Sequence, residues 1–147
     1  YVNSIMASQE AKAAGFDEAL LTDMNGYIAE GPGANMFYEK HGKLFTPSLG
    51  NILPGITRAT VLDICREMGI AVEETLFTAK EIYGADAAFF CGTAAEVIGW
   101  ESLDGKPFAK PWETSLGKRI QDIYHDKVTQ KIVVADKEPI SKLGQLV

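Results

Sequence analysis

Two glycine–threonine turns are the residues of this sequence whose types and spacing could bind a small anion. The segment ILPGITR (52–58) joins a Pro-Gly turn to a helix whose apolar residues recur until Gly69. The first N–H groups of such a helix, with the hydroxyl of Thr57 as a capping residue, form a site suited to phosphate. The segment GTAAE (92–96) follows a strongly apolar run and offers further backbone N–H groups beside Thr93. Each turn, taken alone, is more often purely structural.

A carboxylate, Glu30, precedes a third glycine-rich segment, GPG (31–33). Glycines let a flat ligand approach the backbone closely, and an acid at this place could pair with a cationic ring nitrogen. A solvated loop acid is the alternative interpretation. Together, two anion-binding turns and one carboxylate describe a ligand with a phosphate at one end and a protonated ring nitrogen at the other. Pyridoxal phosphate has that shape.

The elements that must position these residues mix hairpins with helix-linked strands. Asn-Gly, His-Gly and Asp-Gly dipeptides at 25–26, 41–42 and 104–105 predict tight turns. Helices are predicted over 4–14, from Thr78 as a capping box, and over 114–131, and strands over 19–22, 27–29, 36–38, 44–46, 71–75, 85–91 and 97–103. The tail after Lys131 has no clear period. The pattern predicts an α/β domain with a mixed sheet.

Two of these helices are expected to bury an apolar side. In the first helix that side is Ile5, Met6, Ala7, Ala11 and Ala14. In the last helix it is Leu116, Ile120, Ile123, Tyr124 and Val128.

Composition and charge exclude several classes of partner and site. The chain has 147 residues, enough for one domain, with 46% hydrophobic and 23% charged residues. The net charge of −6 argues against nucleic acid or an anionic membrane as partner, and no apolar run approaches the length of a membrane span. Cys65 and Cys91 lie in apolar segments, which favours reduced core thiols and a cytoplasmic location. His41 and His125 have no metal-ligand spacing. The sequence has no G-x-G-x-x-G after a strand, no Walker loop and no G-x-S-x-G motif, and its two separated histidines disfavour a Ser-His-Asp triad.

The sequence resembles the fold-type IV pyridoxal-phosphate-dependent aminotransferases, and within them the branched-chain amino-acid group. Four motifs in order carry the resemblance: EGPGANMF (30–37), LFTP (44–47), ILPGITR (52–58) and GTAAE (92–96). The resemblance extends from Tyr1 to about Lys127. Pro32 is a small departure, since many members have a small residue there. The fold that the resemblance implies is an α/β domain with a mixed, partly barrel-like sheet flanked by helices.

The resemblance also implies which residues contact cofactor and substrate. The implied cofactor contacts are Tyr1, Glu30, Asn35, Leu53, Ile56, Thr57, Gly92 and Thr93, and the implied substrate contacts are Tyr1, Thr93 and Ala94. No metal is implied.

Each implied contact has a distinct role. Glu30 would bond the pyridine nitrogen, braced by Asn35, and Tyr1 would bond the ring oxygen. Ile56, Thr57 and Thr93 would hold the phosphate, while Leu53 would lie against the ring.

The Schiff-base lysine of these enzymes is expected a few residues before Tyr1, outside this chain, so no catalytic residue is assigned within it. Lysines such as Lys12 and Lys40 fall on polar helix faces or in turns and are better explained as solvated charges. The resemblance also implies a smaller N-terminal domain in the parent protein, outside this chain. Residues 1–147 are thus predicted to be the large C-terminal cofactor-binding domain of a homodimer or larger assembly, inactive alone.

Three functions are consistent with these motifs. The parent protein could transfer amino groups between branched-chain L-amino acids and 2-oxoglutarate. It could instead be a D-amino-acid aminotransferase or an aminodeoxychorismate lyase of the same fold. The third alternative is a domain without catalysis that serves binding or dimerisation.

The expected absence of the lysine can be tested on the chain itself. Incubation of residues 1–147 with pyridoxal phosphate, followed by borohydride reduction and peptide mapping, should leave no lysine labelled at one specific site. A stoichiometric label on a single lysine would contradict this expectation. Transaminase activity of the chain alone would contradict it as well.

Overall fold

A computed structural model describes residues 2–129, in which a mixed sheet carries helices on both faces. The helices are α1 (Val2–Ala13), α2 (Ile56–Met68), α3 (Ala79–Tyr83) and α4 (Leu116–Thr129), with a 3-10 turn at Trp112–Thr114. The strands are β1 (Asn35–Lys40), β2 (Lys43–Pro47), β3 (Val72–Thr75), β4 (Ala87–Gly92), β5 (Glu96–Trp100), β6 (Ser102–Leu103) and β7 (Lys106–Pro107). The predicted α/β class with a mixed sheet is confirmed.

The main sheet has the order β3-β2-β1-β4-β5, and β6 and β7 form a separate two-stranded ribbon. β2 and β3 are parallel, and the other neighbours are antiparallel. The expectation of a partly barrel-like sheet is wrong for the described part of the chain, where β3 and β5 stay at opposite edges without pairing. Barrel closure needs the two edge strands to bond to each other, which alternation of apolar residues cannot reveal.

Tight turns form at two of the predicted dipeptides, His41-Gly42 and Asp104-Gly105. His41 and Gly42, between β1 and β2, have φ values of 51° and 73°. Asp104 and Gly105, between β6 and β7, have φ values of 51° and 74°. This left-handed backbone matches the twist of the flanking strands, so both turns are confirmed. The predicted strands at 19–22 and 27–29 are reduced to one bridge between Thr22 and Ile28.

The core has two layers, one on each face of the sheet. Alternation along β1 places Phe37 on the face covered by α2 and α4, and Met36 and Tyr38 on the face covered by α3. β4 does the same with Phe89 and Phe90, which confirms the predicted strand buried on both faces. The central strands are therefore fixed in register, because a slip by one residue would exchange the two layers.

Helix burial differs from the prediction in two places. In α1, Ile5 and Met6 are 53% and 61% exposed, and the helix has no buried residue. Helical spacing indicates an apolar side, but the described part of the chain provides nothing to cover it. In α4, Ile120 and Tyr124 are buried as predicted, whereas Val128 is exposed. The predicted end of this helix and the tail after Lys131 lie outside the described residues.

Two helix starts are held by carboxylates. Thr78 and Glu81 form the predicted capping box of α3. Glu39 is buried near the end of β1. It accepts a hydrogen bond from the Leu116 N–H at 2.7 Å and forms an ion pair with Lys110. This negative charge lies at the positive end of α4 and anchors the helix to the sheet.

Within residues 2–129, no helix combines the length and apolar character needed to cross a membrane.

The Trp112 indole should make β5 intolerant of a methyl group. A Cβ at Gly99 would overlap the indole, which also excludes a Cβ at Gly117. We expect Gly99→Ala to lower the free energy of unfolding by about 1–3 kcal/mol because the packed ring cannot move freely. Urea unfolding measures this. The double variant Gly99→Ala/Trp112→Leu should cost less than the two single changes added together, and simple additivity would contradict the clash.

Candidate functional site

The predicted site residues lie at one end of the sheet, where β1 begins and where β2 and β4 end. β1 begins there with Asn35, whose register partner is Cys91 near the end of β4. β2 runs antiparallel to β1, so its last residue, Pro47, reaches the same end and leads into the loop before α2. The loop that carries Glu30, the start of α2 and the hairpin after Gly92 are therefore neighbours.

The Glu30 carboxylate is held by two donors on one oxygen. The Leu53 N–H and the Asn35 side-chain amide donate to Oε2 at 3.0 Å and 3.1 Å. The same Asn35 amide donates to the Leu53 carbonyl at 2.9 Å. Within residues 2–129, Oε1 receives no hydrogen bond. One carboxylate oxygen thus fixes the side chain, and the other is free for a ligand that donates an N–H.

Glycines at this site serve packing as well as access. A Cβ at Gly55 would overlap the Oδ1 atom of Asn35. A Cβ at Gly31 would come within 2.6 Å of the Phe90 ring. No atom of the described residues lies within 4 Å of the Gly33 Cβ position, so Gly33, unlike Gly31 and Gly55, leaves open space of the kind expected for ligand approach.

The start of α2 differs in one detail from the sequence prediction. Gly55, not Thr57, is the N-cap residue, and Thr57 is buried as the second residue of the helix. The first N–H of this segment that donates to a carbonyl four residues earlier belongs to Ala59, at 3.0 Å from the Gly55 oxygen. Three N–H groups, from Ile56 to Arg58, are therefore left without a helical acceptor, at the positive end of the helix dipole.

The GTAAE hairpin supplies the second turn. Gly92 pairs with Glu96 across it, and Thr93 and Ala94 are exposed at its tip. The Cβ position of Gly92 is 3.0 Å from the Gly33 carbonyl oxygen. The hairpin therefore packs directly on the loop that follows Glu30.

These contacts bring most of the predicted residues together. Glu30, Asn35 and Leu53 form one hydrogen-bonded group, and Gly55 links this group to the start of α2. Gly92 connects the second turn to the same loop. Leu53 and Ile56 are 69% and 85% exposed, so they are accessible to a ligand. Tyr1, predicted to contact cofactor and substrate, lies outside the described residues.

Sequence reasoning gave no role to Arg58, which is buried beside these residues. Its Nη2 donates to the Pro47 carbonyl at 3.0 Å and to Glu74 at 2.6 Å. The signal in the sequence was its place directly after Thr57 in the ILPGITR motif.

The two cysteine thiols are buried and reduced, as predicted. Burial raises the pKa of Cys65 to about 11. Burial also raises the pKa of Cys91 to about 12, against a smaller opposite effect of the Arg58 charge. Neither thiol forms a nucleophilic thiolate at neutral pH.

Comparisons with known proteins place the chain in a family. The model of the family described as "Amino-transferase class IV" matches residues 1–103. This match covers more than half of the chain, which therefore belongs to the class IV aminotransferase family.

Among relatives, the branched-chain-amino-acid aminotransferase of Pseudomonas aeruginosa is 42% identical over 131 residues, which are 89% of this chain and 43% of that protein. The Escherichia coli K12 protein of the same name is 39% identical over 125 residues, 84% of this chain and 40% of that protein. The chain thus spans about two fifths of the length of these relatives.

Solved structures show the same fold. The branched-chain amino acid aminotransferase of Thermobaculum terrenum in its PLP-form has a TM-score of 0.85 and 40% identity, covering 87% of this chain and 42% of that one. The branched-chain aminotransferase of Thermoproteus uzoniensis with norvaline has a TM-score of 0.82 and 42% identity, covering 87% and 42%.

The close packing of Gly55 on Asn35 gives a test of the site's rigidity. Gly55→Ala should displace the Asn35 amide and weaken its bonds to Glu30 and Leu53, lowering the free energy of unfolding by about 1–3 kcal/mol. Chemical denaturation measures the change. Gly33→Ala is the matched control, because its methyl group meets no atom, and it should stay within about 0.5 kcal/mol of the wild type. Equal stability of the two variants would contradict the packing argument.

Proposed function

We propose that this chain is the large C-terminal, cofactor-binding domain of a branched-chain amino-acid aminotransferase. The parent protein would transfer the amino group between branched-chain L-amino acids and 2-oxoglutarate, with pyridoxal phosphate as cofactor. The observation that carries the proposal is the Glu30 carboxylate in a chain of the aminotransferase family. One of its oxygens is fixed by two donors, and the other is free of hydrogen bonds from the described residues.

The geometry of Glu30 suits a protonated pyridine nitrogen. Asn35 and the Leu53 N–H hold the carboxylate in one orientation. The free Oε1 can then accept the ring N–H, and the negative charge favours the protonated ring. When bound, pyridoxal phosphate supplies an electron sink that weakens the bond to the α-hydrogen of the amino acid. Glu30 contributes by keeping the proton on the ring nitrogen.

The phosphate would be held by two turns. The N–H groups of Ile56 and Thr57 lie at the positive end of α2, and the Thr57 and Thr93 hydroxyls add two further donors. Such a set of donors binds phosphate without a lysine. Gly92 allows the second turn to pack closely beside the Glu30 loop.

The remaining predicted contacts position ring and substrate. Leu53 donates its N–H to Glu30 and exposes its side chain, which would lie against one face of the ring. Thr93 and Ala94 are exposed at the hairpin tip, where their N–H groups could bind a substrate carboxylate. The lysine that would bond the cofactor would belong to the part of the parent protein before Tyr1.

Substrate class, assembly and location also belong to this proposal. The relatives cited above carry the name branched-chain-amino-acid aminotransferase, which favours this activity over D-amino-acid transfer or aminodeoxychorismate cleavage. We propose a homodimer or larger assembly in the cytoplasm. Exposed apolar side chains on α1, Val2, Ile5 and Met6, support an association surface.

The role of Glu30 predicts a loss of activity without a loss of fold. In the protein as its gene encodes it, Glu30→Gln should reduce transamination of L-leucine by roughly 100-fold or more, since a neutral amide does not stabilise the ring proton. The free energy of unfolding should change by less than about 1 kcal/mol, because the amide oxygen can still accept both N–H groups.

The exposed Glu101 provides the matched control. Glu101→Gln should retain full activity with L-leucine. Retained activity in Glu30→Gln would exclude the proposed role of this carboxylate. A wild-type preference for D-alanine or aminodeoxychorismate would instead assign one of the sibling activities, and no turnover of any of the three would favour the non-catalytic domain.

A further inference from the structure

Arg58 is a buried cation that the proposed phosphate contacts do not use. Its side chain is 5% exposed, whereas its ion-pair partner Glu74 is 45% exposed. Water therefore screens the Glu74 carboxylate more than the guanidinium. The positive charge is only partly neutralised on the inner side of the pair.

The guanidinium is also incompletely bonded. A single nitrogen, Nη2, donates both to the Pro47 carbonyl at 3.0 Å and to Glu74 at 2.6 Å. The Nε–H is buried, and within residues 2–129 it has no hydrogen-bond partner. An arginine held only to stabilise the fold would satisfy more of its donors, because each buried unpaired donor costs stability. The arrangement therefore indicates a second role for the charge.

The position of Arg58 indicates that role. It is the third residue of α2, directly after Ile56 and Thr57, and its bond to Pro47 ties this first turn to the end of β2. Its charge also acts on Cys91, the residue before Gly92 and Thr93. Arg58 thus lies in the first turn of α2, bonded to the end of β2, and its charge extends to the end of β4 that leads into the second turn.

We propose that Arg58 is a positioning residue for the phosphate group of the cofactor. It fixes the first turn of α2 against the sheet and adds buried positive charge behind the donors of both turns. This inference rests on the proposed function, because it assumes that the two turns bind a phosphate. Arg58 is assigned no direct contact with the ligand.

The test compares two probes that differ only in the phosphate, pyridoxal 5′-phosphate and pyridoxal. Their dissociation constants are measured by spectroscopic titration of the protein as its gene encodes it. In Arg58→Met, the affinity for pyridoxal phosphate should fall by roughly tenfold or more, while that for pyridoxal stays within about twofold. Arg66→Met is the matched control, because Arg66 lies on the same helix, is exposed and pairs only locally with Asp63. It should change neither affinity.

A second variant has the opposite expected sign. Glu74→Gln keeps an oxygen that accepts the Arg58 N–H but removes the negative charge. The affinity for pyridoxal phosphate should therefore rise by about two- to threefold, with pyridoxal unchanged.

The outcomes separate this inference from the proposed function. Equal weakening of both probes in Arg58→Met, or an unchanged or lower affinity for pyridoxal phosphate in Glu74→Gln, overturns the role of Arg58 and leaves the function standing. Wild-type protein that binds neither probe overturns the function, and the inference with it. If Arg58→Met does not fold, the sign of the Glu74→Gln effect still decides.

Discussion

The hydrogen bonds around the Glu30 carboxylate are the constraint on which the rest of the site depends. They join three segments, since Asn35 and Leu53 are 5 and 23 residues from Glu30 in the chain. A partly buried carboxylate without donors would be costly, and two N–H groups on one oxygen remove that cost while fixing the orientation. The exclusion of any side chain at Gly55 belongs to the same arrangement, because Asn35 needs that space.

The sheet makes this convergence possible. β1 is the central strand, and β2 and β4 run antiparallel to it. The last residues of β2 and β4 therefore lie beside Asn35, the first residue of β1. β1 also carries a buried polar residue near its other end, Glu39, which anchors α4. A strand fixed by both core layers thus carries a bracing amide at one end and a helix anchor near the other, so the site is attached directly to the core.

Electrostatics at the site is divided between two regions. The carboxylate of Glu30 is the negative group, and the start of α2, supported by Arg58, is the positive one. A ligand with a cationic ring and an anionic phosphate complements this division. The chain belongs to the class IV aminotransferase family and is about 40% identical to branched-chain-amino-acid aminotransferases, of whose length it spans about two fifths.

The sequence by itself determined the motifs, the hairpin turns, the buried central strand and the mixed α/β class. These depend on local chemistry: left-handed backbone at His41-Gly42, and a continuous apolar run at 85–91. It also named Glu30 and the two glycine–threonine turns. Helical spacing alone wrongly placed Ile5 and Met6 inside, and Thr57 was wrongly given the capping position of Gly55.

Three features of residues 2–129 were decided only by the tertiary structure. The sheet stays open, one oxygen of Glu30 receives no hydrogen bond, and Arg58 is buried with an unpaired nitrogen. The physical reason is common to these cases. Periodicity and turn residues show what a segment can form, but coverage, strand pairing and hydrogen-bond partners depend on segments distant in the chain.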